Sequence, residues 1–483
     1  MCGVIGIIGT AKASQEVFLG LQNLQHRGQD AAGIHTNDGH KNYSKKSGLK
    51  KDSLKNVHLV QDVFSKEDMA GLKGSVALGH VRYPTVGASD SVQPFYTNSC
   101  GGISLAHNGN VVNFESVERY SIGSLHKAIP EDCDSQLILN VLASELEKKL
   151  NPHQFLLPDM FFDSLTSVYD KVIGGFAIVG YFWGKGLFAF KDPNGIKPLI
   201  LGEKEVDGKR CYAIASEIVA LKSLDYNNLQ NIKHGEAIFI DNDMNVHRKF
   251  IKQGKEAACE FEATYFSRIE STFQDQWIFD IRKKLGKELA LTINDKNFDV
   301  IIPIPDSAMV AAIEMSKVLD VPFEMGLIKN RYSGKTFIMP SIEKRELALE
   351  LKLTPIRQVI EGKKILLVED SLVRGTTMRK VVKLIRSYRP TEIHLAVYSP
   401  PRRFPCFYGI DFPLKEELIA KDNKPIDVIA KELDLDGLYY QPVENMSKTL
   451  GNGICSACMT GEYPTDISEA VEFAQRRKLE RLA

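Results

Sequence analysis

The chain has 483 residues, enough for two or three domains with cores of their own. Lys plus Arg equals Asp plus Glu at 61 each, well mixed, so no basic tract marks a nucleic-acid surface. No apolar run approaches the ~18 residues of a membrane span, and no export signal opens the chain. The expected address is the cytoplasm, where the eight cysteines stay reduced and are too few and scattered for a disulfide scaffold.

The first residues are Met1-Cys2-Gly3-Val4-Ile5-Gly6-Ile7-Ile8-Gly9. Removal of Met1, easy before a small side chain, would leave Cys2 with a free α-amine beside its thiol. Nucleophile and base would then share one residue. Val4–Ile8 reads as a buried strand that fixes Cys2 at its edge. Further strands are expected at Val76–Val81, Ile103–Ala106, Phe176–Tyr181, Gly186–Lys191, Arg210–Ala215 and Ala237–Ile240. Helical patterns fall at Ser14–Leu24 and Ser135–Lys149. Together these predict a layered α+β domain with antiparallel sheets. The polar, lysine-rich stretch Asn37–Ser65 is expected to be an irregular, solvated connection.

Short polar runs punctuate this half. Arg27 lies in Gln25-His26-Arg27-Gly28-Gln29-Asp30, after a helix, and Arg82 follows a strand, where its guanidinium can clamp a carboxylate bidentately. In His107-Asn108-Gly109-Asn110 the Asn108 amide and the Gly109 N–H can meet a developing negative oxygen. Asp134 can bind an ammonium, but it stands just before a helix, and a cap is an equal reading. Singly, each of these residues reads as a turn or a cap.

The second half alternates helix and strand. Helices are expected near Asp275–Leu291, Ala308–Leu319 and Thr376–Tyr388, with strands at Asp299–Ile304, Lys364–Val368 and Glu392–Tyr398. That is the grammar of a mostly parallel sheet whose ligand site lies beyond the carboxyl ends of its strands. The apolar strand ending in Glu369-Asp370 runs into Ser371-Leu372-Val373-Arg374-Gly375-Thr376-Thr377. Backbone N–H groups from Ser371 to Thr377 can cradle a phosphate at a helix N-terminus. Glu369 and Asp370 suit ribose hydroxyls and a hard divalent ion such as magnesium. The last segment, from Leu438, is strand-poor and carries Cys455-Ser456-Ala457-Cys458. That pair alone is ambiguous among zinc, iron–sulfur and redox chemistry, and Cys259 and Cys406 can complete a four-thiolate set.

These runs, in order and spacing, resemble the glutamine phosphoribosylpyrophosphate amidotransferase family over nearly the whole chain. So do Asp192-Pro193-Asn194-Gly195-Ile196-Lys197-Pro198-Leu199 and Ala215-Ser216-Glu217. The resemblance implies an N-terminal-nucleophile glutaminase domain, a four-layer αββα sandwich, over residues 2–240. A segment 241–274 with Cys259, a type I phosphoribosyltransferase domain 275–437 and a terminal segment 438–483 follow. It implies that Cys2 forms a glutamyl thioester and releases ammonia, with Asn108 and Gly109 as oxyanion hole and Arg27, Arg82 and Asp134 holding glutamine. Ammonia would pass through a sequestered channel to 5-phosphoribosyl 1-diphosphate, giving 5-phosphoribosylamine, glutamate and diphosphate, the first step of purine synthesis.

By the same resemblance Asp306, Ser307, Lys329, Arg331, Lys335, Glu369, Asp370, Ser371, Arg374, Gly375, Thr376 and Thr377 bind the phosphoribosyl diphosphate. Ser307, Glu369 and Asp370 stand near magnesium. Cys259, Cys406, Cys455 and Cys458 hold a [4Fe–4S] cluster, with zinc as competitor. Purine nucleotides as inhibitors and a homodimer or homotetramer are also implied, with no nucleic-acid or membrane partner. The chain departs from the family pattern at Ala308, Lys335, Ile342, Glu350 and Glu369, and more mildly at Asp30 and Gln136. The acceptor half is therefore open to two other readings: an amide hydrolase or an amidotransferase for another phosphosugar, and a nucleotide-sensing protein that keeps the fold.

Overall fold

The computed structural model describes residues 1–48, 59–83, 92–129, 133–150, 158–294, 297–330 and 353–482. It divides into two compact units. The first comprises Met1–Cys259, Cys406–Pro413 and Tyr463–Ala483; the second comprises Glu260–Pro405 and Leu414–Glu462.

Two antiparallel sheets face each other in the first unit. The seven-stranded sheet runs, edge to edge, Asn227–Asn231, Ile200–Val206, Lys209–Ala215, Gly3–Ile8, Val76–Arg82, Ala31–Asn37 and Asn42–Gly48. The strand that carries Cys2 is thus central, with Gly3 opposite Val81 on one side and Ile5 opposite Ala215 on the other. The six-stranded sheet runs Val246–Phe250, Glu236–Asp241, Gly186–Lys191, Gly174–Phe182, Ile103–Val111 and Phe95–Thr97.

Alternation along each strand splits its side chains between two cores. Val4, Ile8, Leu78, Val179 and Ile238 fill the layer between the sheets. Ile5, Ile7 and Val81 turn outward against Val17 and Leu21 of the helix Ala13–Asn23. On the far face Phe176, Phe188 and Phe190 pack with Leu137, Phe161 and Leu165 of the helices Asp134–Glu147 and Pro158–Lys171. The result is the four-layer αββα arrangement expected for this half of the chain.

The stretch expected to be an irregular connection contains the strand Asn42–Gly48, paired in register with Ala31–Asn37. It lies at a sheet edge, where lysines and polar side chains are a normal composition and hide a strand from a hydrophobic pattern.

The second unit holds a four-stranded parallel sheet ordered Val300–Pro303, Lys364–Glu369, Glu392–Val397 and Gly437–Tyr440. Its core joins Ile302, Ile365, Leu367 and Leu395 to Val381, Val382 and Ile385 of the helix Thr376–Arg386. A strand at Gly437–Tyr440 was not among those expected; its four residues are too short to show a period. Among the described residues no helix is long and apolar enough to cross a membrane.

Candidate functional site

Two strands, Val76–Arg82 and Ile103–Val111, supply the neighbours of Cys2 in the first unit, and the helix start at Asp134 packs against the second of them. The Cys2 N–H donates to Asn108 Oδ1 at 3.1 Å, and its thiol lies 3.7 Å from the Tyr83 carbonyl, just past the strand Val76–Arg82. Asn108 is fully buried, and its Nδ2 has no hydrogen-bond partner. A buried amide donor left unspent is costly unless a ligand or water meets it.

Gly109 follows with φ +150°, and a Cβ there would stand 2.0 Å from the Gly175 carbonyl oxygen. Only glycine lets these two strands close at that point.

Asp134 begins the helix Asp134–Glu147, but Cys133 occupies the cap position and no side chain caps it. The Asp134 carboxylate reaches the strand Ile103–Val111 instead, accepting from the Val111 N–H at 3.3 Å and lying 3.7 Å from His107 Nδ1. Burial pushes its carboxyl up, but His107 and the nearby N–H groups outweigh burial and hold it below the ordinary value. It is therefore an ionised acid.

His107 is fixed behind it. Its Nδ1 meets Ser135 Oγ at 3.0 Å and its N–H donates to Gln93 Oε1 at 2.7 Å. Arg82 is buried at its strand end. Arg27 is buried too, with its Nε donating to Glu217, an acceptor it shares with His26.

His80, opposite Val4, has a role that sequence reasoning did not supply. It is fully buried, neither ring nitrogen is hydrogen-bonded, and burial, then the charges of Arg82 and His107, push it down to about 3. It is a neutral imidazole on the strand next to the one that follows Cys2. Its one sequence signal is a histidine in the middle of an apolar strand.

The second unit gathers acids and donors at the carboxyl end of its sheet. Asp370 is buried and accepts from both Ser307 and Ser371 hydroxyls. Burial, then the Asp370 charge, pushes Glu369 well above the ordinary carboxyl range. Gly375, at φ +72°, turns the chain into the helix Thr376–Arg386, whose first turn has no side-chain cap and whose Thr376 and Thr377 are exposed. Uncapped N–H groups at a helix start are an anion site in waiting.

Arg374 is committed elsewhere, its Nε and Nη2 donating to Glu417 Oε2 at 2.8 and 2.6 Å. Asp306 is exposed and pairs with Lys329 at 2.8 Å. Ala308 is buried at the start of the helix Met309–Leu319. Arg331, Lys335, Ile342 and Glu350 lie outside the described residues.

The family description "Glutamine amidotransferase domain" matches residues 80–223, and "Phosphoribosyl transferase domain" matches residues 276–401. The amidophosphoribosyltransferase of Pseudomonas aeruginosa is 38% identical over 486 residues, spanning 97% of this chain and 94% of that one. The amidophosphoribosyltransferase of Haemophilus influenzae is 37% identical, spanning 97% and 94%. Among solved structures, the glutamine phosphoribosylpyrophosphate amidotransferase of B. subtilis, complexed with ADP and GMP, superposes with a TM-score of 0.83. It shares 35% identity and covers 96% of this chain and 98% of its own.

The chain belongs to the amidophosphoribosyltransferase family. It is an enzyme with a glutamine amidotransferase domain followed by a phosphoribosyltransferase domain. It transfers the amide nitrogen of glutamine to phosphoribosyl pyrophosphate, forming 5-phosphoribosylamine.

One expectation is corrected. Among the described residues no group of three or more His, Cys, Asp or Glu is arranged to hold a metal ion, so the four-cysteine [4Fe–4S] cluster, or zinc in its place, is not supported. The sulfurs have other neighbours. Cys458 Sγ lies 3.1 Å from Arg402 Nη1 and 3.5 Å from Glu260 Oε1, and Cys406 Sγ accepts from the Tyr408 N–H at 3.5 Å. Cys259 is buried, its N–H donating to the Ile196 carbonyl at 3.1 Å, and Cys455 is half-buried in the short strand Ile454–Cys455.

That finding does not bear on magnesium at Ser307, Glu369 and Asp370, because such an ion is held by one or two carboxylates together with the phosphates of its substrate. Two carboxylates and a hydroxyl are too few to cage it, and a divalent ion there would arrive with the diphosphate as part of the substrate.

Proposed function

We propose that Cys2 is the nucleophile of the glutamine half-reaction in this amidophosphoribosyltransferase, and that the strand-end acids and helix-start loop of the second unit hold the acceptor. The observation that carries this reading is the seat of Cys2. One buried amide, Asn108, takes the Cys2 N–H on its oxygen and keeps its own Nδ2 donor unspent.

With Met1 removed, the Cys2 α-amine takes the thiol proton, Sγ attacks the side-chain amide carbon of glutamine, and the carbonyl electron pair moves onto oxygen. Asn108 Nδ2 and the Gly109 N–H meet that oxygen. The amine returns the proton to the departing nitrogen. Ammonia leaves, a glutamyl thioester remains, and water then releases glutamate. Arg82 takes the glutamine α-carboxylate, the ionised Asp134 its ammonium, and Arg27 braces that end of the site through Glu217.

In the second unit Glu369 and Asp370 take the ribose hydroxyls and the run Ser371–Thr377 the 5-phosphate, with Arg374 steadying that loop through Glu417. Asp306, Ser307 and Lys329 face the diphosphate, helped by Arg331 and Lys335. Ammonia attacks C1 of the ribose as diphosphate leaves. Inhibition by purine nucleotides, a homodimer or homotetramer and a cytoplasmic address, without nucleic-acid or membrane partners, belong to the same reading. The B. subtilis enzyme bound to ADP and GMP supports the first of these.

The test measures diphosphate and glutamate release with glutamine or ammonia as nitrogen donor. Cys2→Ala should lower glutamine-dependent synthesis by at least about a thousandfold and spare the ammonia reaction. Loss of both would sink the assignment of separate sites. Glutamate release with no diphosphate from either donor would favour the amide hydrolase.

A further inference from the structure

The turn Asp192–Lys197 ends in a lysine with an unusual environment. Lys197 is fully buried, and its Nζ donates to Met1 Sδ at 2.8 Å, with Met1 itself 2% exposed. No carboxylate among the described residues pairs with it. Asp192 builds the turn: its carboxylate accepts from the N–H groups of Phe176, Asn194 and Ile196 at 2.9 to 3.0 Å. Phe176 is the residue opposite Gly109, so the turn is tied to the strand pair that frames Cys2.

We infer that Lys197 is a positioning residue of the glutamine half-reaction: once Met1 leaves, its ammonium faces the Cys2 α-amine and keeps that amine in its neutral, proton-accepting form. The inference rests on the proposed role of Cys2 and deepens it. Met1 Sδ is five bonds from the Cys2 nitrogen, so removing Met1 strips Lys197 of that hydrogen bond and creates the amine close by. Two ammonium groups in a buried pocket repel, and the amine, held by Asn108 Oδ1, is the one that must shed its proton to work.

Other charges around Cys2 do not do this alone. Arg82 is reserved for substrate in this reading, and Arg27 is neutralised by Glu217, on which His26 also rests. His80 is neutral, and His107 is paired with Asp134. Lys191, next to Asp192, is buried as well.

The experiment uses the full chain with its N-terminus checked by intact mass, and follows kcat/KM for glutamine against pH in wild type, Lys197→Met and Lys197→Arg. The acidic limb reports the free enzyme's essential base. It should move up by about one pH unit in Lys197→Met and return toward wild type in Lys197→Arg. An acidic limb that stays in place in Lys197→Met overturns the inference. Inactivity of both variants at every pH also overturns it, since that marks a structural role. Failure of the underlying reading looks different: wild type then turns over glutamine with Met1 still attached, or Cys2→Ala keeps its glutamine activity.

Discussion

The two candidate sites solve different problems with opposite materials. Around the half-buried Cys2, Asn108, Arg82, Arg27 and His107 are buried, and the strand ladder sets their positions. Asn108, Gly109 and Arg82 sit on paired strands, and Asp134 reaches across from a helix start. At the acceptor site Asp370 is buried, while Thr376, Thr377, Asp306 and Lys329 are exposed on a loop, a helix start and strand ends. Covalent attack on an amide needs a nucleophile and an oxyanion site fixed to a few tenths of an ångström. Stabilising a departing diphosphate needs charge and N–H groups that can gather around it. Burial therefore suits the first site and exposure the second.

The comparison breaks most visibly at Asn108. Asn108→Ala should lower glutamine-dependent kcat by on the order of 10²–10³ and leave the ammonia reaction near wild type, read from diphosphate release with each donor. An equal fall with both donors would mean that the amide serves the whole fold. Asp370→Asn should do the reverse and weaken both reactions alike. One charge-assisted hydrogen bond is worth ~1.5–3 kcal/mol, so KM for phosphoribosyl pyrophosphate should rise about tenfold or more.

The smallest effect sharpens the contrast through pH. The buried imidazoles His35 and His80 are both held down to about 3, each chiefly by burial. Between pH 6.5 and 3 the unfolded chain binds protons that the folded chain refuses, so stability falls as pH falls across that window. Each contributes a slope of about 1.4 kcal/mol per pH unit. His80→Leu should remove one such slope, measured by denaturant unfolding between pH 4 and 7. A variant curve parallel to wild type would show that His80 takes up its proton in the fold.

Much of this was legible in the sequence because backbone geometry writes itself into residue type. Glycine is demanded where Gly109 approaches Gly175, and apolar runs such as Val4–Ile8 and Lys364–Val368 mark central strands. Asp134 was ambiguous because a helix start and an ammonium site ask for the same residue, and only the direction of its carboxylate separates them. The strand Asn42–Gly48 was hidden because an edge carries no apolar alternation. The cysteine cluster was over-read: presence of four thiols at familiar places says nothing of their neighbours, and Arg402 with Glu260 occupies the Cys458 sulfur. Lys197 has no signal of its own within the run Asp192–Leu199, since its meaning lies in burial, which composition does not report.

The enclosure of Met1 has a consequence for the life history of the chain. A residue 2% exposed, next to a strand bonded on both sides, is beyond the reach of a peptidase once the sheet has closed. If Cys2 is to work, Met1 must go while the segment is still unfolded, during or just after its emergence from the ribosome. On the proposed role of Cys2, trimming then has to come before the sheet closes, and the order of those two events decides how much of the protein can act on glutamine.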